Sequence, residues 1–243
     1  MKAMIMSAGK GTRLGEITRS MPKVLVDING KSLLQHAVEY CCSYGFDDII
    51  VNVHYLADMV EEEIKRINAK GFRISVSDER ELLLENGGGL YKARHFFDKN
   101  PFLVYNADIV TDLDLSLLLD LHLEKKALAT LAVRERPGSR FLLTDKDGVL
   151  RGWRNVSTGE EILKADSNEG LKSIGFSSVQ IIDPEIFSYM REGIYTVVDL
   201  YLELAATGRI LTRRFDEGYW FNVGTPENLE NVREFLKSSR TTW

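Results

Sequence analysis

The chain has 243 residues, 44% hydrophobic and 28% charged, with a formal net charge of −5. That length can bury one substantial core and the mixture is ordinary for a soluble globular protein, which excludes a disordered or fibrous chain. The acidic balance argues against a general nucleic-acid surface and no run approaches 18 apolar residues, so neither nucleic acid nor a membrane is an expected partner.

In chain order, MKAMIM reads as a short apolar strand running into SAGKGTR. Its apolar stretch is too short for a signal peptide, and cytoplasm is the expected compartment. Gly9 and Gly11 let backbone amides approach a polyphosphate, because no Cβ blocks the way and positive φ costs little. Arg13 offers phosphate a planar fork and Lys23 a mobile point charge. A Walker loop is excluded because only Lys10 separates the two glycines, and a dinucleotide fingerprint because Leu14 stands where a third glycine is needed.

Leu33, Leu34, Ala37, Val38, Cys41 and Cys42 recur at helical spacing up to Gly45, and IIVNV follows as a strand. The adjacent cysteines suit neither a structural bridge nor a zinc set, in keeping with a reducing compartment. A second helix runs from Leu56 through Val60, Ile64 and Ile67 to near Gly71, before the strand-like FRISVS. Three glycines, Gly87 to Gly89, then read as a flexible turn. FLVYN and ALATLAV add strands around the helix LDLSLLLDLHL, which predicts a mostly parallel sheet covered on both faces, with ligands beyond the strand carboxyl ends. FLLTDKDGVLRGW reads as a hairpin at Asp147-Gly148 and SIGFSSVQII as a longer strand, so a small antiparallel lobe is expected after residue 134. Pro184 opens a helical stretch, Gly208 closes the next, and Thr225-Pro226 has the N-cap and N1 chemistry of a terminal helix. The four histidines, His36, His54, His95 and His122, show no metal-ligand spacing and read as structural.

The run S-A-G-K-G-T-R-L with P-K-V-L resembles the signature of the sugar-1-phosphate nucleotidylyltransferases. The likeness continues in order through VNVHYLADMVEEEI, LLENGGGLYKA, VYNADIV, SSVQIIDPEIF and FNVGTPENL. The small members without an appended C-terminal domain are most similar, among them the uridylyltransferases of N-acetylmuramate 1-phosphate. The resemblance implies a Rossmann-like three-layer α/β/α fold with a mostly parallel mixed central sheet. One catalytic domain, 1–243, is expected, in which 1–134 mainly binds nucleotide and 135–243 supplies the sugar-binding lobe and C-terminal helix.

The expected reaction joins an NTP, UTP or GTP, to a sugar 1-phosphate and releases pyrophosphate. The resemblance assigns Ala8, Gly9, Gly11, Thr12, Arg13, Lys23, Glu85, Asn86, Gly87 and Gly88 to the nucleotide. Arg13, Lys23 and Asp108 carry catalysis, Asn106 and Ser178 face the sugar, and Mg²⁺ sits on Asp108 and Asn222. Asn222 stands where Asp is commonest, Asn86 where Thr is usual, Ser178 where glycine is frequent, and no E-K-P motif appears near Gly152 to Asn155. Cytidine therefore stays open as the base. So do a mannose or heptose guanylyltransferase and a weakened nucleotide-sugar-binding regulator, as well as monomer or small homo-oligomer.

Overall fold

The computed structural model describes residues 1–9 and 11–238. Lys2–Met6 forms β1, and two short 3-10 stretches, Thr12–Thr18 and Lys23–Leu25, lead to a hairpin of β2 (Asp27–Ile28) and β3 (Lys31–Ser32). There follow α1 (Leu33–Ser43), β4 (Asp48–Val53), α2 (Ala57–Asn68), β5 (Arg73–Asp78), α3 (Glu85–Lys92) and β6 (Phe102–Asn106). The chain continues through β7 (Ile109–Thr111), α4 (Leu115–Lys125), β8 (Ala129–Arg134), β9 (Arg140–Thr144), β10 (Leu150–Asn155), β11 (Glu160–Leu163) and β12 (Lys172–Ile182). The final elements are α5 (Val197–Leu204), β13 (Ile210–Arg214), β14 (Trp220–Asn222) and α6 (Pro226–Ser238).

Local chemistry explains these boundaries. The Ser32 hydroxyl accepts from the Gln35 amide at 3.1 Å and starts α1, while Gly45 takes the left-handed conformation after its end. Thr196 and Asp199 cap α5 reciprocally, and Thr225 accepts from the Asn228 amide at 3.2 Å ahead of Pro226. No helix among the described residues is long and apolar enough to cross a membrane.

The central sheet runs β11-β10-β9-β12-β6-β1-β4-β5, with β8 paired to both β12 and β13. Strands β6, β1, β4 and β5 are mutually parallel, and β12 joins β6 antiparallel. Strand alternation divides the core between the two faces. Ala3, Ile5, Leu103 and Tyr105 face Leu34, Val38, Ile64 and Leu118 of α1, α2 and α4. Met4, Phe102 and Val104 face Leu90, Leu200 and Tyr201 of α3 and α5. A smaller cluster seats α6 through Leu229 and Val232 on Ile28, Leu33 and Val223.

The antiparallel lobe is β9, β10 and β11, carried on the first half of β12. Gly148 in its hairpin has φ 77°. Between Phe176, opposite Val133, and Gln180, opposite Leu131, β12 bulges, and Ser178 in that bulge has φ 62°. A frequent glycine at this position therefore has a backbone reason.

His122 on α4 is buried, with Nδ1 3.0 Å from the Thr130 hydroxyl. Burial lowers its pKa from 6.5 to about 4. The neutral ring is the form that the fold accepts, so its contribution is complete above pH 6.5 and lost as pH falls through about 4. Urea titrations of the wild type should show stability falling across that window, and the difference from His122→Gln should carry the slope. Parallel curves for the two proteins would refute the assignment.

Candidate active site

Strands β1, β4 and β6 end side by side, and the segments that leave them enclose a cleft of about 480 Å³. Its lining includes Ser7 to Gly9 and Gly11 to Arg13 after β1, Lys23, Asn52 of β4, Leu83, Glu85 and Asn86, Asn106 and Asp108 after β6, and Gly224. The structure thus gathers ten of the expected residues around one cavity: Ala8, Gly9, Gly11, Thr12, Arg13, Lys23, Glu85, Asn86, Asn106 and Asp108. Gly87, Gly88, Ser178 and Asn222 are not in its lining.

Lys23 and Asp108 meet across the cleft, with Nζ 2.5 Å from Oδ2. The second carboxylate oxygen of Asp108, Oδ1, is buried without a hydrogen-bond partner. Such an orphan in a polar cleft marks an atom shaped for something that the bare chain does not supply. Gly11, at φ 63°, begins the 3-10 stretch, and a Cβ on it would lie 2.7 Å from Cβ of Lys23. This glycine therefore seats the lysine stem as well as turning the loop.

Asn222 stands just outside the cleft wall. Val223 donates to the Asp108 carbonyl at 2.8 Å, which ties the end of β14 to the end of β6. A Cβ on Gly224 would lie 2.7 Å from Oδ1 of Asn222 and 3.1 Å from a terminal nitrogen of Arg13. Arg13, Asn222 and Asp108 are thus brought to one corner by the glycine of FNVGTPENL.

The triple glycine is corrected. Gly87, Gly88 and Gly89 lie within α3 and are buried rather than forming a flexible turn at the cavity. A Cβ on Gly87 would meet the Tyr195 ring at 2.6 Å, one on Gly88 would run into the Gly193 carbonyl, and one on Gly89 would lie 2.6 Å from Glu79. These glycines let the helix approach the 193–195 segment and Glu79 closely. Only Glu85 and Asn86, at the helix start, reach the cleft. Asn86 Oδ1 accepts from the Val197 amide at 2.8 Å, so its NH₂ group is the end left for a ligand.

A buried polar relay beneath this wall was missed. The Asn52 side chain accepts from the Ser7 amide at 2.7 Å and donates to Glu79 at 2.8 Å, while the other Glu79 oxygen accepts from the Leu84 amide at 3.3 Å. Ser7 Oγ also donates to the Asn52 carbonyl. Burial raises the Glu79 pKa, and its bonds from Asn52 and Leu84 oppose that rise. The relay fixes Ala8 on one side of the cleft relative to Glu85 on the other. Its one sequence signal was an asparagine inside the apolar run IIVNV.

Among the described residues no three His, Cys, Asp or Glu side chains cluster as a metal site. Trp153 packs against the second core cluster and Trp220 against the first.

The nucleotidyl transferase family model matches residues 2–148. An N-acetylmuramate alpha-1-phosphate uridylyltransferase of Caulobacter vibrioides is 33% identical over 233 residues, covering 93% of this chain and 92% of the relative. A UTP–glucose-1-phosphate uridylyltransferase of Synechocystis is 32% identical over 97% of this chain and 63% of its own length. The structure of HddC from Yersinia pseudotuberculosis superposes with a TM-score of 0.77 at 22% identity, covering 97% of this chain and 99% of that one. A family model matching more than half of the chain, joined to a relative one-third identical over nearly its full length, makes this chain a member of the nucleotidyl transferase family.

Proposed function

We propose that the protein transfers a uridylyl group from UTP to a hexose 1-phosphate, with N-acetylmuramate 1-phosphate as the favoured acceptor. The observation that carries this reading is the convergence of Arg13, Lys23 and Asp108, from three separate segments, on a cleft that opens at a glycine loop. A sugar-phosphate oxygen attacks the α-phosphorus, the bond to the β-phosphate oxygen breaks, and pyrophosphate leaves. The nucleophile is already ionised near neutral pH, so no general base and no covalent intermediate are needed; positioning and charge neutralisation carry the rate.

Arg13 holds the departing pyrophosphate, and Lys23 moves from Asp108 to the α-phosphate as charge gathers there. The donor set suits Mg²⁺, because Asp108 offers an unpaired oxygen and Asn222 a neutral amide oxygen, leaving the remaining positions to phosphate and water. When bound there, the ion would neutralise phosphate charge. Pyrophosphate release measured with Mg²⁺ over the four NTPs against N-acetylmuramate, glucose, mannose and heptose 1-phosphates tests the reading. UTP with a hexose phosphate should stand out, and silence in every combination would overturn it.

Base choice follows from Asn86. Because Oδ1 is engaged by Val197, the amide presents a donor, which suits a keto oxygen of uracil or guanine and opposes the amino group of cytosine or adenine. Asn86→Asp keeps an acceptor for Val197 but replaces that donor with a carboxylate oxygen. It should lower kcat/KM for UTP by about tenfold and narrow the UTP:CTP ratio, on the scale of one hydrogen bond near a charge. An unchanged ratio would remove Asn86 from base reading.

A further inference from the structure

On the expected sugar side, one guanidinium has no acidic partner among the described residues. Arg134 and Arg136 both lie against the Trp220 ring, their guanidinium carbons 6.0 and 5.5 Å from its centroid. Arg134 donates to the Asp216 carbonyl at 3.3 Å, and the Asp216 carboxylate lies close enough to be influenced by its charge. Glu135 and Asp216 are both engaged by Arg214. Arg136 has no carboxylate within 4.0 Å among the described residues, and burial alone pulls its pKa down.

Its position is nevertheless built. The stem crosses Gly175, where a Cβ would lie 2.6 Å from both Cγ and Nε of Arg136. Its terminal nitrogens donate to the carbonyls of Pro137 and Phe176, each at 3.2 Å, and Nε is buried without an acceptor. Trp220 is itself fixed by donation from Nε1 to the Ser177 carbonyl at 3.0 Å. Ser177 Oγ, beside that contact, is also buried without a partner. Desolvating a guanidinium without a counter-ion costs stability, and neither the tryptophan face nor two long carbonyl contacts replaces an anion.

The place is informative as well. Trp220 and Asn222 are two residues apart on β14, so their side chains leave the same face of the β7–β14 ribbon, about 7 Å from one another. Asn222 adjoins the Asp108 corner of the cleft, and Ser178, next to the serine that holds Trp220, neighbours the end of β6 where Asn106 stands. Arg136 therefore lies further along the same side, beyond the residues assigned to the reacting phosphate.

We propose that Arg136, seated on Gly175 and Trp220, binds a carboxylate carried by the sugar, so that the acceptor is an acidic sugar 1-phosphate. A single guanidinium without a carboxylate partner matches one carboxylate in charge, and its planar fork matches the two oxygens. The proposal rests on the uridylyltransferase reading for the identity of the site, but its test does not require turnover.

UDP-N-acetylmuramate and UDP-N-acetylglucosamine differ only by the lactyl ether and its carboxylate. Calorimetric titration of the full chain with each, for wild type, Arg136→Gln and Arg136→Lys, isolates that group. The wild type should bind the muramate form more tightly, and Arg136→Gln should weaken it by about tenfold or more while changing the glucosamine form less than about twofold. Arg136→Lys, which keeps the charge but loses the fork, should fall between. Equal weakening of both ligands would make Arg136 a packing residue and overturn the proposal. So would unchanged affinity for the muramate form in Arg136→Gln, or failure of the wild type to bind it. Pyrophosphate release from UTP with uncharged hexose 1-phosphates tests the reaction separately, so the two readings can fail independently.

Discussion

Asp108→Asn should lower kcat by about 10² to 10³, the scale of removing one group aimed at charge that develops in the transition state. The change keeps the shape of the side chain and leaves an oxygen for the Lys23 ammonium, now 2.5 Å from the carboxylate, so the fold should survive. The charge is lost, and an amide oxygen attracts a cation less strongly than a carboxylate oxygen does. Lys23→Met should cost a similar factor from the opposite side. Because both residues act on the same phosphate charge, the double variant should be far less impaired than the product of the two losses. Steady-state pyrophosphate release, with UTP and acceptor varied in turn, separates kcat from KM. A kcat within threefold of wild type for Asp108→Asn would remove it from the reaction.

The second large effect is structural. Gly88→Ala places a methyl group into the Gly193 carbonyl, backbone against backbone, where no side-chain rotation offers relief. Overpacking of this kind costs about 1–3 kcal/mol or more, so a clear fall in the urea midpoint is expected. Since Glu85 and Asn86 sit one turn ahead on the same helix, the displacement should also raise KM for UTP. Wild-type stability in Gly88→Ala would show that the 193–195 segment yields freely.

Much of this was legible in the chain. The helices at 33–43 and 57–68 announced themselves through apolar spacing and glycine stops, and the residues after β1 and β6 fell at strand ends, where parallel sheets leave room for ligands. What escaped was set by tertiary contact. Gly87 to Gly89 have the composition of a turn, and only the nearness of Tyr195, Gly193 and Glu79 explains why a helix there must lack side chains. The Asn52–Glu79 relay joins residues 27 apart, and Gly224 matters because Arg13 and Asn222 converge above it. Ser178 was singled out as a departure from glycine, but its positive φ, not its hydroxyl, is the property that the bulge requires. Arg136 gave no signal, since the charged run Arg134-Glu135-Arg136 before Pro137 is indistinguishable from a solvated turn.

Strand β12 bears on how the molecule can be divided. Its last residues pair with β6 on one edge and β8 on the other, and its first residues carry the lobe through β9. The stretches before and after residue 134 are therefore successive in sequence but interleaved in space. A polypeptide severed after residue 134 would leave β6 and β8 each with an open row of amides and carbonyls, and β12 with nothing to lie between. Each piece would therefore expose as an edge a strand that the whole chain keeps inside its sheet, and each such edge is a template for pairing with the other piece.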